Sequence, residues 1–199
     1  ASAAPPPRTA STAAGAALVR ITIPGQTGVA LGELEWPTNV SADVQSFQYP
    51  DDGSIVRLGR SRATISAHSG SAATSQAFAE AIVLSLFDGE ITAAQVTAAA
   101  RSGASERTTE SITAGSSVQG LRALDQTIPS TPGGSASLSD GGSLSVLVED
   151  AGAKDAGPPR AQASVVALRV RLTADHGGLP AGSEIVVGSA QTTAVARIS

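Results

Sequence analysis

The sequence predicts an all-β fold: an antiparallel sandwich or barrel-like domain with an extended N-terminal arm. Three observations carry that prediction. Short runs with an apolar residue at every second position recur from residue 18 onward, and a two-residue period marks a half-buried strand. Turn signals separate the runs, at Pro50-Asp51-Asp52-Gly53, Asp88-Gly89, Asp140-Gly141-Gly142 and His176-Gly177-Gly178. Asp-Gly pairs suit tight hairpins because glycine tolerates positive φ. Apolar residues make up 41% of the 199, yet only five residues are aromatic. Much of the remainder is alanine, so the core is built from small side chains between closely spaced backbones. Many short strands with frequent turns fit a sandwich or barrel, and the length suffices for one large β domain.

The elements follow in order. Residues 1–17 form an Ala/Pro-rich arm in which Pro5-Pro6-Pro7 favours extended polyproline geometry. A single β domain spans 18–199. It opens on a strand over 17–24, where Val19, Ile21 and Ile23 alternate with Leu18, Arg20 and Thr22 and Pro24-Gly25 closes the run. "GVALGELEW", "SIVRLG", "RATISAHS", "SLSVLVED", "ASVVALRVRLTA" and "SEIVVGSAQTTAVARI" read as further strands. One stretch, "SQAFAEAIVLSLFDGEITAAQVTAAARSG", has two readings. Alanine favours two helices capped at Ser75 and Asp88, and the apolar runs equally fit two strands joined at Asp88-Gly89.

Composition narrows the function classes. The net charge of −4 is spread out, with no basic cluster to neutralise phosphates, so nucleic acid is not an expected partner. There is no cysteine, hence no disulfide framework and no thiolate site. The longest apolar run, "AIVLSLF" at 81–87, is flanked by Glu80 and Asp88 and is too short to span a bilayer, so no membrane insertion is expected. Position 1 is not methionine, and "ASAAPPP" fits the mature side of a secretory cleavage site. The expected location is extracellular or at the cell surface, after signal-peptide removal.

Candidate chemistry is sparse. His68 and His176 are the two histidines, but no G-x-S-x-G elbow accompanies them. His176, in "ADHGGLPAG", reads as a turn residue, and His68 as a solvent-facing strand residue. The carboxylates Asp51-Asp52, Asp140, Glu149-Asp150 and Asp155 sit beside glycines or in turns and form no calcium-loop pattern. Asn39-Val40-Ser41 matches a glycosylation acceptor. Trp36, followed by Pro37, reads as a half-buried anchor at a strand end. The expectation is a non-enzyme with no cofactor and no metal.

Over residues 47–194 the chain resembles the choice-of-anchor P family, secreted actinobacterial β proteins. The matching stretches are "YPDDGSIVRLG", "LSLFDGEITAAQVTAAARSG", "SSVQGLRALDQTI" and "LTADHGGLPAGSEIVVGSA". The resemblance implies a secreted, surface-associated β protein, implies no activity, and favours two strands over 76–102.

Function is therefore a matter of assembly. A strand on a flexible leader must pair with a sheet, its own or a neighbour's. In trans it supplies hydrogen bonds to an unpaired edge while Val19, Ile21 and Ile23 fill the neighbour's groove. Because donor and acceptor surfaces differ, the contact runs head-to-tail without closure. The expected function is a structural subunit of an extracellular filament or surface fibre, partnered with itself. The alternative is a monomeric secreted surface domain that binds glycan or cell-envelope or matrix components.

Overall fold

The computed structural model describes residues 10–138, 141–155 and 158–197. Among them are seventeen strands and a short 3₁₀ turn, Phe87–Gly89. The first eight are β1 (Ser11–Thr22), β2 (Val29–Leu31), β3 (Leu34–Glu35), β4 (Ser41–Val44), β5 (Phe47–Tyr49), β6 (Val56–Leu58), β7 (Ser61–Ser69) and β8 (Ala73–Leu86). Then come β9 (Ile91–Ala104), β10 (Thr109–Ile112), β11 (Ser117–Gln119), β12 (Arg122–Ala123) and β13 (Gln126–Thr127). The last are β14 (Gly134–Leu138), β15 (Gly142–Lys154), β16 (Arg160–Leu172) and β17 (Glu184–Val195). All pairings are antiparallel and fall into two sheets. The first runs β14-β15-β16-β17-β1-β2, with β3 also on β1. The second is built on the β8–β9 hairpin, flanked by β4 to β7 on one side and β10 to β13 on the other. The two pack face to face as an all-β sandwich, so the helical reading of 75–103 is excluded.

Alternation changes phase once along each long strand, at one level across the sheet. Inward residues are Ala14 and Ala16, then Val19 and Ile21, in β1. They are Ala161, Ala163 and Val165, then Leu168, Val170 and Leu172, in β16; and Ile185 and Val187, then Ala190, Thr192 and Ala194, in β17. At the change one residue per strand drops out of the ladder, although the register is unaltered on either side. The omitted pairs are Leu18 with Gly188, Ala167 with Gly188, Leu147 with Ala167, and Val83 with Ala94. A residue that leaves the β region reverses which face the following side chains point to. Left-handed backbone occurs along this seam at Gly32, Val83, Gly120, Leu147 and Gly188. Several short strands are halves of longer ones parted here: β2 from β3 at Gly32-Glu33, and β6 from β7 at Gly59-Arg60.

The seam divides the core into a thick half and a thin half. Beyond it on one side the sheets are filled by Val19, Ile21, Val56, Leu84, Leu86, Ile91, Leu144, Leu168 and Ile185. On the other side the interior is mostly alanine, at Ala14, Ala16, Ala63, Ala77, Ala79, Ala98, Ala100, Ala161 and Ala163, with Ile65, Val96 and Val165 as its larger members. Small side chains bring the backbones close enough for hydroxyls to bridge the sheets. Ser75 Oγ donates to the Thr193 carbonyl at 3.0 Å, and Ser102 Oγ lies 2.7 Å from Thr192 Oγ1. All three hydroxyl residues are buried, and pairing them this way removes the cost of burying them.

The sheets also meet along one edge. β14 pairs with only the first part of β15, leaving the stretch after Leu147 as an edge. β10 and the residue after it reach across to it: Thr113 Oγ1 donates to Glu149, Ser111 Oγ to the Gly152 carbonyl at 2.8 Å, and Thr109 Oγ1 to Asp155. Side-chain cover of this kind blunts an edge that would otherwise template pairing with another chain.

Candidate functional site

The segment singled out by the sequence, residues 17–24, belongs to a longer strand. Residues 11–17, expected in the arm, continue it, because their Ala/Gly pattern fits the thin half; residues 1–9 lie outside the described residues. β1 pairs with β17 through eleven register positions, from Ser11↔Val195 to Thr22↔Glu184. Its other edge takes Val29–Leu31 and Leu34–Glu35. The strand thus fills a slot whose walls are β17 and β2–β3 and whose floor is the second sheet. In the single chain the pairing is in cis. Val19, Ile21 and Ile23 are buried in the chain's own core, and Arg20 faces outward, paired with Glu33 at 2.6 Å.

Leu18, expected on the opposite face from Val19, is fully buried as well. It stands at the seam with glycine on both sides, Gly188 of β17 and Gly32 of the opposite wall. Both have left-handed backbones, φ 68° and 60°. A Cβ on Gly32 would lie 2.6 Å from Leu18 Cδ1, so the leucine occupies the space the missing side chain leaves. Gly15 makes a second close approach: a Cβ there would lie 2.9 Å from Gln191 Nε2 and 3.4 Å from the Leu34 carbonyl. Sequence reasoning missed Leu18, Gly32 and Gly188. The available signal was the break in alternation itself, "AALV" in β1 and "IVVGSA" in β17, where two apolar residues fall side by side.

The remaining sequence candidates are scattered. His68 is exposed near the end of β7. His176 begins a two-residue turn closed by mutual hydrogen bonds with Leu179, with Gly177 and Gly178 both at positive φ. Its Nε2 lies 2.8 Å from Glu90 Oε2, and its ring meets Phe87 edge-on at 4.8 Å. The residue clasps the β16–β17 connection onto the tip of the β8–β9 hairpin. Asp52 accepts a hydrogen bond from the Ser54 backbone N–H at 2.9 Å, which holds its carboxyl below the ordinary carboxylate value. Glu149 and Asp155 serve the β10 contacts, and Asp140 lies outside the described residues. Among the described residues no three His, Cys, Asp or Glu side chains converge as metal ligands. Asn39 and Ser41 are exposed. Trp36 packs partly buried against the core just after β3.

Two shallow grooves mark the outer faces in the thin half. One, of about 400 Å³, runs over β1, β16 and β17 past Gly15, Ser164, Ser189 and Gln191. The other, of about 480 Å³, holds Phe78, Gln76, Thr64 and Arg101 on the second sheet. Among the described residues no helix is long and apolar enough to cross a membrane. Comparison with protein-family models, curated proteins and solved structures finds no match to this chain.

Proposed function

We propose that the chain is a structural subunit of an extracellular filament or surface fibre, in which β1 passes from one copy to the next. One observation carries this reading. Among the described residues β1, an interior strand held between β17 and the short β2 and β3, is joined to the rest of the fold by one connection, Ile23 to Gly28. The same hydrogen bonds and the same buried side chains serve a strand held in cis or donated in trans; only the hinge differs. Exchange of an identical element is a low-cost route to association, and a donor that leaves for a different copy makes an open chain. Residues 47–194, with their choice-of-anchor P resemblance, support a secreted, surface-associated setting.

The test uses the directly opposed pair Ala13 and Thr193 in a chain that has no cysteine of its own. The double variant Ala13→Cys/Thr193→Cys, oxidised at high concentration, should give a ladder of covalent oligomers. Exclusively intrachain cross-links, with monomers by size-exclusion chromatography, would overturn the reading.

A second reading, a monomeric surface domain that binds glycan, is favoured by one feature. The other four aromatics lie in or against the core, whereas Phe78 sits half-buried on an outer face among Gln76, Thr64 and Arg101, with the Arg62 guanidinium 5.4 Å from its ring centre. Aromatic rings with polar neighbours stack on sugars. Phe78→Ala should then abolish retention on an immobilised glycan while leaving the melting temperature within a few degrees; unchanged retention would remove this reading.

A further inference from the structure

We infer that the β1 slot counts residues and runs in one direction, so that its fitting occupant is a strand of β1's own pattern, in cis or from a second copy of this chain. The trans case rests on the exchange proposed above; the counting does not. Two features of the slot carry the inference. Its two halves differ in depth, with room for Ala14 and Ala16 at one end and for Val19, Ile21 and Ile23 at the other. A strand entering in the reverse sense would bring β-branched side chains into the alanine half. Secondly, the occupant must change face once, at the level of Gly188 and Gly32, where Leu18 and Val19 both point inward. A strictly alternating strand has no residue to spare for that level. Small residues at one end and a bulky doublet at the seam fix direction and register together, because a one-residue slip would turn every side chain to the wrong face.

Both walls carry matching marks. Gly188 has a left-handed backbone that favours glycine, and a Cβ there would press on Val96 Cγ1 of the floor at 3.2 Å. Gly32 is complementary to Leu18 itself. The occupant is therefore a strand with small residues at alternate positions, then, after one more residue, a leucine and a β-branched residue. Within this chain Ala14 to Val19 has that pattern.

Two full-length variants test the count. Leu18→Gly keeps the number of residues and removes the side chain. Deletion of Leu18 leaves Ala14, Ala16, Val19, Ile21 and Ile23 in strict alternation but removes the residue that spans the seam. The deletion should melt at least about 10 °C below Leu18→Gly, or not fold at all, although both variants lack the same side chain. Equal melting temperatures would overturn the inference. A second measurement uses the unaltered chain, taken through its denaturant transition and refolded with a labelled peptide of residues 11–24 or the same peptide lacking Leu18. Retention of the complete peptide should exceed that of the shortened one more than about tenfold; equal retention of both overturns the counting. If neither is retained while the two variants separate as expected, strand exchange fails and the counting stands.

Discussion

Val83 combines a β-branched side chain, 64% exposed, with a left-handed backbone at φ 58°. That conformation costs on the order of 1–3 kcal/mol for such a residue, and nothing buried is gained in return. Val83→Asn, a residue that tolerates the left-handed region, should raise the melting temperature by about 2–4 °C per kcal/mol relieved; a lower value in a thermal melt would show that the side chain is needed. Within β1 the two faces should respond differently. Ile21→Ala should cost about 2–5 kcal/mol because a buried branched side chain leaves a cavity. Arg20→Ala, which removes a half-exposed ion pair, should cost no more than about 1 kcal/mol in the same denaturant titration. At Asp52 the sign follows from the depressed carboxyl. Its contribution is present above the ordinary carboxylate value and is lost as pH falls through the lower folded value. The stability gap between wild type and Asp52→Asn should therefore close at acid pH; a gap that widens there would contradict the Ser54 hydrogen bond as its cause. Single residues were partly legible in the sequence: His176 reads as a turn residue from its glycines. Its contact with Glu90 joins positions far apart in the chain, and no local pattern encodes it.

At the scale of the strands, existence was easier to read than phase. Val19, Ile21 and Ile23 announce a strand by their spacing, and the structure keeps all three inward. Leu18 does not follow, because alternation is a local rule and the seam is a property of neighbouring strands acting together. Residues 75–103 kept two local readings open for a related reason. Alanine prefers helix when isolated, but facing rows of alanine let two sheets approach closely, and packing of that kind overrides propensity. Two substitutions test this account. Ala98→Leu, in the thin half, should destabilise by about 1–3 kcal/mol or more through overpacking, whereas Ile185→Leu, in the thick half, should cost under about 1.5 kcal/mol. Similar losses in chemical denaturation would argue against a tapered core. Gly188→Ala should also destabilise, by more than about 1 kcal/mol from the left-handed backbone alone, and part of the loss should be recovered in the Val96→Ala background.

Taken whole, the molecule is two bent sheets, hydroxyl-bridged in the thin half and covered along one edge by β10. The sandwich class followed from strand spacing and turn residues. The division of strands between sheets did not, since Thr109 with Asp155 and Ser75 with Thr193 are pairings that only the finished fold brings together. The first strand is paired with the last, and Ala10 packs in a small cluster with Ala73, Ala104, Ala194 and Ala196. Time therefore enters the architecture. As the chain is made, β1 emerges before the other strands described, and β2 and β3 can flank one of its edges almost at once. Its other edge must wait until residue 195 exists, because β17 is its partner there. Throughout that interval a strand carrying Leu18, Val19 and Ile21 has one side open, and under the exchange proposed above this is the interval in which a neighbouring copy receives it.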